Sequence, residues 1–206
     1  MDIGLIAGSM KPFHILHMRL VQTASDECDQ VVLFVSLSTR ARPGELPVYG
    51  DDMKTVWDSV LLSLMPSNVD VRFNNNPIKG IFTELTLAKN EGRTDRFKIF
   101  SDPDDIDSTY GPVEFNSGSP VFYSGSKIYR YFPEMIDMGL IVPRYHSDRS
   151  VSGTDIRKAV VNDDYETFKR NMVPETVDIT WKLLRSHVDE MKKPSEPKKT
   201  VLKKKK

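Results

Sequence analysis

The stretch GLIAGSMKPFHILHMRLV, Gly4 to Val21, sets the fold expected of this chain. It begins as a short apolar strand, breaks at Gly8 and Ser9, passes through Met10, Lys11 and Pro12, and turns into a helix near His14. A helix start presents unpaired backbone N–H groups and the positive end of its dipole, both suited to phosphate. Lys11 adds a full positive charge, and the imidazoles of His14 and His17 add donors that phosphate oxygens accept. The segment lacks the Gly-x-x-x-x-Gly-Lys-Ser/Thr pattern of a P-loop and the Gly-x-Gly-x-x-Gly of a dinucleotide-binding turn. Two histidines three apart are also a conceivable start of a zinc site, but no nearby cysteine or carboxylate completes a tetrahedral set.

Working outward, apolar runs bounded by turn residues alternate with helical stripes, the pattern of a doubly wound, mainly parallel α/β sheet. The expected strands are residues 2–7, 31–36, 69–73, 97–101 and 120–124, with a weaker one at 140–145. Most are continuous rather than alternating, as strands covered on both faces should be. Helical stripes run through Leu16, Leu20, Val21, Ala24 and Cys28, then through Met53, Val56, Trp57 and Leu61, then through Ile78, Ile81, Leu85 and Ala88. A last helix is expected from Pro174, a residue suited to a first helical position. Two long loops, residues 37–52 and 101–119, follow expected strands and belong at the carboxyl edge of the sheet, where open α/β folds bind ligands.

At 206 residues the chain fits one domain, with 39% hydrophobic and 28% charged residues as in a soluble enzyme. No window approaches the roughly 18 apolar residues of a membrane span, and no basic-then-apolar leader begins the chain, so the expectation is a cytoplasmic protein without a membrane partner. The single cysteine, Cys28, has no disulfide partner and reads as a small buried thiol. The net charge of zero conceals an asymmetry: residues 192–206 hold eight lysines and one glutamate, leaving residues 1–191 about seven charges negative. The expected division is an ordered domain over 1–191 and a Lys-rich disordered tail over 192–206, with contact to a polyanion as the sharper reading of the tail.

The second stretch with chemistry in it is RSVSGTDIRKAV, Arg149 to Val160. Ser152, Gly153 and Thr154 form a turn into a helix, with Ser152 or Thr154 as its cap, and Arg157 falls in the first turns with a guanidinium able to grip two oxygens. GSMKPFHILH (8–17) resembles the first signature of the nucleotidyltransferase superfamily with an HxGH motif, and SVSGTDIR (150–157) resembles its second, Ile-Ser-Ser/Gly-Thr-x-Ile-Arg. Within that superfamily the second signature is most similar to that of the nicotinamide-nucleotide adenylyltransferases, as is FYSGSKIYRYFPEM (122–135) ahead of it. One position departs: where the superfamily has glycine before the second histidine, this chain has Leu16, which bears on the base and ribose pocket.

The resemblance implies a Rossmann-like nucleotidyltransferase with C-terminal helices that transfers a nucleoside monophosphate from a nucleoside triphosphate to a small phosphorylated acceptor and releases pyrophosphate. ATP with nicotinamide mononucleotide is the first expectation. CTP with a phosphorylated alcohol, and a catalytically inactive nucleotide-binding module, are the alternatives. His14, His17, Lys11 and Arg157 would be catalytic, with His17 stabilising the α-phosphate and Thr154 and Arg157 holding the β- and γ-phosphates. Gly8, Ser9, Met10, Asp102, Ser152, Gly153 and Thr154 would bind the nucleotide, and Arg40, Arg42 and Tyr49 the acceptor. Mg2+ would bridge the triphosphate through phosphate oxygens and waters, with no protein ligand assigned. The acidic loop with Asp102, Asp104, Asp105 and Asp107 is a candidate for ribose binding or metal orientation, His146 for pocket lining, and a homo-oligomer stays open.

Overall fold

A computed structural model describes residues 1–146 and 150–189. Five parallel strands form the central sheet: β1 (Asp2–Gly8), β2 (Gln30–Ser36), β3 (Val69–Asn74), β4 (Arg96–Ser101) and β7 (Ile141–Tyr145). Their order is β3-β2-β1-β4-β7, with Leu5 opposite Val32 on one side and Ile99 on the other. The strand order reverses between β1 and β4, so the crevice past their carboxyl ends is the ligand position that this topology favours.

The helices are α1 (Ile15–Glu27), α2 (Gly50–Val56), α3 (Leu62–Leu64), α4 (Pro77–Asn90), α5 (Pro103–Thr109), α6 (Pro133–Asp137), α7 (Gly153–Val161), α8 (Tyr165–Asn171) and α9 (Val177–Ser186). Alternate residues of the three inner strands feed two cores. Val31, Leu33 and Val35 of β2 pack with Val21 and Ala24 of α1, Val56 of α2 and Ile156 of α7. Val32 and Phe34 pack on the opposite face with Ile81, Leu85 and Ala88 of α4. Apolar residues therefore run unbroken along the inner strands because both faces are covered.

Several expectations change in the structure. Residues 120–124 do not join the main sheet; Ser119–Phe122 (β6) pairs antiparallel with Val113–Asn116 (β5) as a separate hairpin. The expected loop over 101–119 is largely ordered, holding α5 and β5, because Asp102 caps α5 with its side chain on the Asp105 N–H (2.9 Å) and Pro103 opens the helix. Pro174–Thr176 is a 3-10 turn and α9 starts at Val177. The helix from α2 to α3 is interrupted by a π turn, Trp57–Leu61, that no periodicity argument anticipates. No helix among the described residues is long and apolar enough to cross a membrane. The tail expected over 192–206 lies outside the described residues.

Candidate active site

The first motif leaves β1 and reaches α1 in six residues, which holds it tightly against the sheet edge. Met10, at a positive φ of 47°, folds its side chain back over Gly8, where an added Cβ would lie 3.1 Å from its Cγ and Cε. Behind the motif, Phe13 packs edge-on against Trp57 at 4.9 Å, so the π turn supports the segment carrying the histidines.

His14 is 4% exposed, and its ring stacks on His17 with centroids 3.7 Å apart. Burial pulls the His14 pKa down to about 4. His17 is held well below the usual histidine value, by burial first and by the neighbouring imidazole second. The His14 backbone N–H donates to His17 Nδ1 at 3.2 Å, so the neutral His17 ring carries its proton on Nε2 in the tautomer this bond assigns. His14 Nδ1 is buried and has no hydrogen-bond partner among the described residues. Two neutral rings at a helix start can donate hydrogen bonds to an anion, and a phosphate beside them would raise their pKa values.

The same burial has a consequence for stability. The lowered His14 pKa means the unfolded chain binds the proton first, so the stability present above the unfolded pKa of 6.5 is lost as pH falls towards about 4. For this histidine alone the loss between pH 7 and pH 5 is about 2 kcal/mol. Urea midpoints at the two pH values in the wild type and in His14→Gln check it: the variant should lose less stability, and equal losses would remove the claim.

The second motif starts α7. Ser152 caps it: its Oγ accepts the Asp155 N–H (3.2 Å), and Asp155 Oδ2 takes both the Ser152 N–H and its hydroxyl. These bonds hold the Asp155 carboxyl below its ordinary value. Asp155 is thus a working part of the cap that the motif reading passed over. At Gly153 an added Cβ would stand 3.2 Å from the Lys11 carbonyl oxygen and 3.3 Å from Arg157 Nη1. The two motifs touch this closely because the position has no side chain. Gly153→Ala should push them apart by a few tenths of an ångström and slow turnover about tenfold, with little change in unfolding midpoint. An alanine variant with wild-type turnover would show that the spacing is not critical.

Arg157 joins the motifs directly. It is 5% exposed, and its Nη1 donates to the Lys11 carbonyl at 2.8 Å across 146 residues of sequence. Its Nη2 donates to Thr154 Oγ1 at 2.9 Å and pairs with Glu45 at 3.4 Å.

Beyond the sheet edge lie two adjoining hollows that share Ala7, Gly8, Ser9, Ser101 and Asp105. The larger, about 580 Å3, has His14 and His17 on one side and Ser152 and Gly153 on another, with Asp102 and His146 also in its wall. Met10 lines it too, and so does Leu16, the residue at the usual glycine position, itself 5% exposed. The smaller, about 400 Å3, is lined by Ser36, Ser38, Asn75, Asn76, Thr109 and Tyr110. Sequence reasoning missed these six, because serine and asparagine after a strand look like any turn.

Six expected site residues line neither hollow. Thr154 and Arg157 stand behind the wall, bonded to each other as described above. The Lys11 side chain is buried and turned to the end of β2, where Nζ donates to the Ser36 carbonyl at 2.8 Å. Burial, helped by Arg40, lowers its pKa to about 8. Arg40 pairs with Glu45 at 3.0 Å, Arg42 is exposed, and the Tyr49 ring packs edge-on against His187 at 4.7 Å. His187 also meets Asp52 at 2.7 Å. Cys28 is buried at the end of α1, where burial pushes its thiol up to about 11 and leaves it inert.

This sheet order, with helix starts converging at the β1/β4 crevice, is the Rossmann-like nucleotidyltransferase fold. Among solved structures the chain is similar to the nicotinic acid mononucleotide adenylyltransferase of Plasmodium falciparum, in a complex with NaAD, at a TM-score of 0.55 and 14% identity, covering 90% of this chain and 98% of that one. It is also similar to a bifunctional NMN adenylyltransferase/ADP ribose pyrophosphatase of Francisella tularensis, at a TM-score of 0.52 and 12% identity, covering 95% of this chain and 57% of that one. At such identities the likeness establishes a shared fold. No protein-family profile and no curated sequence matches the chain.

Proposed function

We propose that this protein is a nucleotidyltransferase that moves an adenylyl group from ATP to a small phosphorylated acceptor, with nicotinamide mononucleotide the first candidate. The observation that carries the reading is the meeting of two helix starts at the larger hollow: stacked, neutral His14 and His17 open α1, and Ser152 and Gly153 open α7. A triphosphate seated there finds backbone N–H groups, two imidazole donors and two helix dipoles. The smaller hollow, joined to the larger through Gly8, Ser9 and Asp105, is the proposed seat of the acceptor.

In the reaction the acceptor's phosphate oxygen attacks the α-phosphorus, a new P–O bond forms, the bond to the β-phosphate breaks, and pyrophosphate leaves. A phosphate nucleophile is already anionic near neutral pH and needs no protein base, so catalysis rests on alignment and charge stabilisation. In this reading His17 Nε2–H is the donor to an oxygen of the α-phosphate, the tautomer that the His14 N–H on Nδ1 assigns supporting it. Lys11, buried against Ser36, acts by fixing the loop that presents the histidines.

Magnesium, when bound, supplies positive charge between the phosphates. Among the described residues no group of three or more His, Cys, Asp or Glu side chains could hold a metal ion. Asp102, Asp104 and Asp105 line the larger hollow but do not form such a group. The proposed arrangement is an ion that would be held by the triphosphate's own oxygens and by waters, with no protein ligand assigned.

The test is pyrophosphate release with each nucleoside triphosphate, magnesium and a panel of acceptors that includes nicotinamide mononucleotide, nicotinic acid mononucleotide and phosphorylated alcohols. ATP with a pyridine mononucleotide should give the fastest release. Faster release with CTP and a phosphoalcohol would move the assignment to a cytidylyltransferase, and tight nucleotide binding without product from any pair would sink the enzyme reading.

A further inference from the structure

Behind the wall of the larger hollow lies a set of cations that the cleft itself does not use. Arg40 and Arg42 lie close enough to act on the charge of Arg157, Arg40 acts on that of Lys11, and Lys158 stands beside Arg157. Among the described residues two carboxylates face the set. Asp155 is engaged by Ser152 in the cap of α7, which leaves Glu45 as the anion in contact with the guanidinium groups. Glu45 Oε2 accepts from Arg40 Nε at 3.2 Å, from Arg40 Nη2 at 3.0 Å and from Arg157 Nη2 at 3.4 Å. One carboxylate does not saturate this site. Arg157 is 5% exposed, yet its Nε is buried without a partner among the described residues. Burial and the like charges of Arg40 and Arg42 also pull the Arg157 pKa down, so the charged guanidinium is under-compensated.

The location ties the set to the cleft. An added Cβ on Gly153, which lines the larger hollow, would stand 3.3 Å from Arg157 Nη1. On the far side Arg157, Thr154, Lys158 and Glu45 line a small hollow of about 140 Å3. Gly153 is thus where the wall of the larger hollow meets the Arg157 guanidinium, which Glu45 contacts from its other side.

Glu45 is also able to leave. Its neighbours Leu46 and Val48 are buried at 1% and 0% exposure and pin the 37–49 segment, whereas the Glu45 side chain remains 31% exposed. Rotation about its own side-chain bonds carries the carboxylate into water without moving the backbone. A carboxylate held by arginines with a solvent route out is an exchangeable ligand of a site that favours greater negative charge.

We propose that Glu45 is a built-in competitor for the terminal phosphates: it occupies Arg157 and Arg40 in the empty protein, yields them to the β- and γ-phosphates, and on returning displaces pyrophosphate. This rests on the nucleotidyltransferase reading and adds to it a residue that governs binding and release of the leaving group. It also accounts for Arg157 facing away from the hollow that it is expected to serve.

The test is calorimetric titration of the full chain with inorganic pyrophosphate, and separately with AMP, for the wild type, Glu45→Gln and Glu45→Ala. Both variants should bind pyrophosphate about tenfold more tightly, while AMP, which lacks the terminal phosphates, binds as in the wild type. Wild-type or weaker pyrophosphate affinity in both variants overturns the proposal, as does an equal gain for AMP. If none of the three proteins binds pyrophosphate the proposal also fails. ATP-dependent pyrophosphate release in the acceptor screen is scored independently, so the loss of this role for Glu45 is distinguishable from the loss of the enzyme reading.

Discussion

Replacing His17 with alanine is expected to slow nucleotidyl transfer about a thousandfold, the size of effect seen when a single preorganised donor to a developing negative charge is removed. The ring lies in the wall of the larger hollow, stacked on His14, with Nδ1 fixed by the His14 N–H and the proton therefore on Nε2. Alanine deletes that donor and leaves the backbone of α1 intact, so the stability loss should stay near about 1 kcal/mol. Single-turnover pyrophosphate release gives the rate, and a denaturant midpoint gives the fold. A variant within tenfold of the wild type would take the α-phosphate role away from His17, whereas a rate loss accompanied by a collapsed midpoint would point to folding instead. Since the donor acts mainly in the transition state, the loss belongs in kcat more than in KM.

The largest effect on stability is expected from Gly50→Ala. Gly50 is buried at the first turn of α2, and an added Cβ would lie 1.8 Å from the Leu37 carbonyl oxygen and 2.7 Å from its carbon. Both obstacles are backbone, so no side-chain rotation relieves the clash. The segment leaving β2 has to move, and it is held by the Leu37 N–H on the Asn74 carbonyl at 2.8 Å and by the paired Arg40 and Val48. A cost of about 3 kcal/mol follows from overpacking of this kind. Because Ser36 and Ser38, whose hydroxyls meet at 2.7 Å, flank Leu37 and line the smaller hollow, the same shift should raise KM for the acceptor more than for the nucleotide. A midpoint close to wild type would mean that the 37–49 segment yields freely, which would also weaken the picture of Leu46 and Val48 as its anchors.

How far the site was legible varies residue by residue. His14, His17, Ser152 and Gly153 belong to local patterns, a strand or loop running into a helix start, and the residues that make such a start also announce it. Asp155 was present in the second motif, but its part in a reciprocal cap shows only once the Ser152 bonds are traced. Lys11 and Arg157 were recognised as cations, yet their directions could not be. Lys11 turns to the Ser36 carbonyl and Arg157 to the Lys11 carbonyl, and both acceptors are backbone atoms supplied by distant folding. Asn75 and Asn76 line the smaller hollow because β3 ends at the edge where α4 begins, with Asn76 also capping α4 through the Lys79 N–H. The place of Arg40, Arg42 and Tyr49 in the loop after β2 points to the acceptor, while the fold pairs Arg40 with Glu45 and packs Tyr49 on His187.

The sequence by itself determined the doubly wound parallel architecture and the two helix starts that converge on one crevice. Both follow from short-range rules, unbroken apolar runs for strands covered on two faces and cap residues ahead of helical periodicity. Only the tertiary structure decided where each charge points, which residues wall the two hollows, that residues 119–122 pair in a hairpin outside the sheet, and that Glu45 sits on the arginine of the second motif. Those outcomes depend on contacts between segments far apart in the chain, such as the 146 residues between Lys11 and Arg157. A long side chain in such a place follows the nearest unsatisfied backbone oxygen or counter-charge, and neither is visible until the chain has folded.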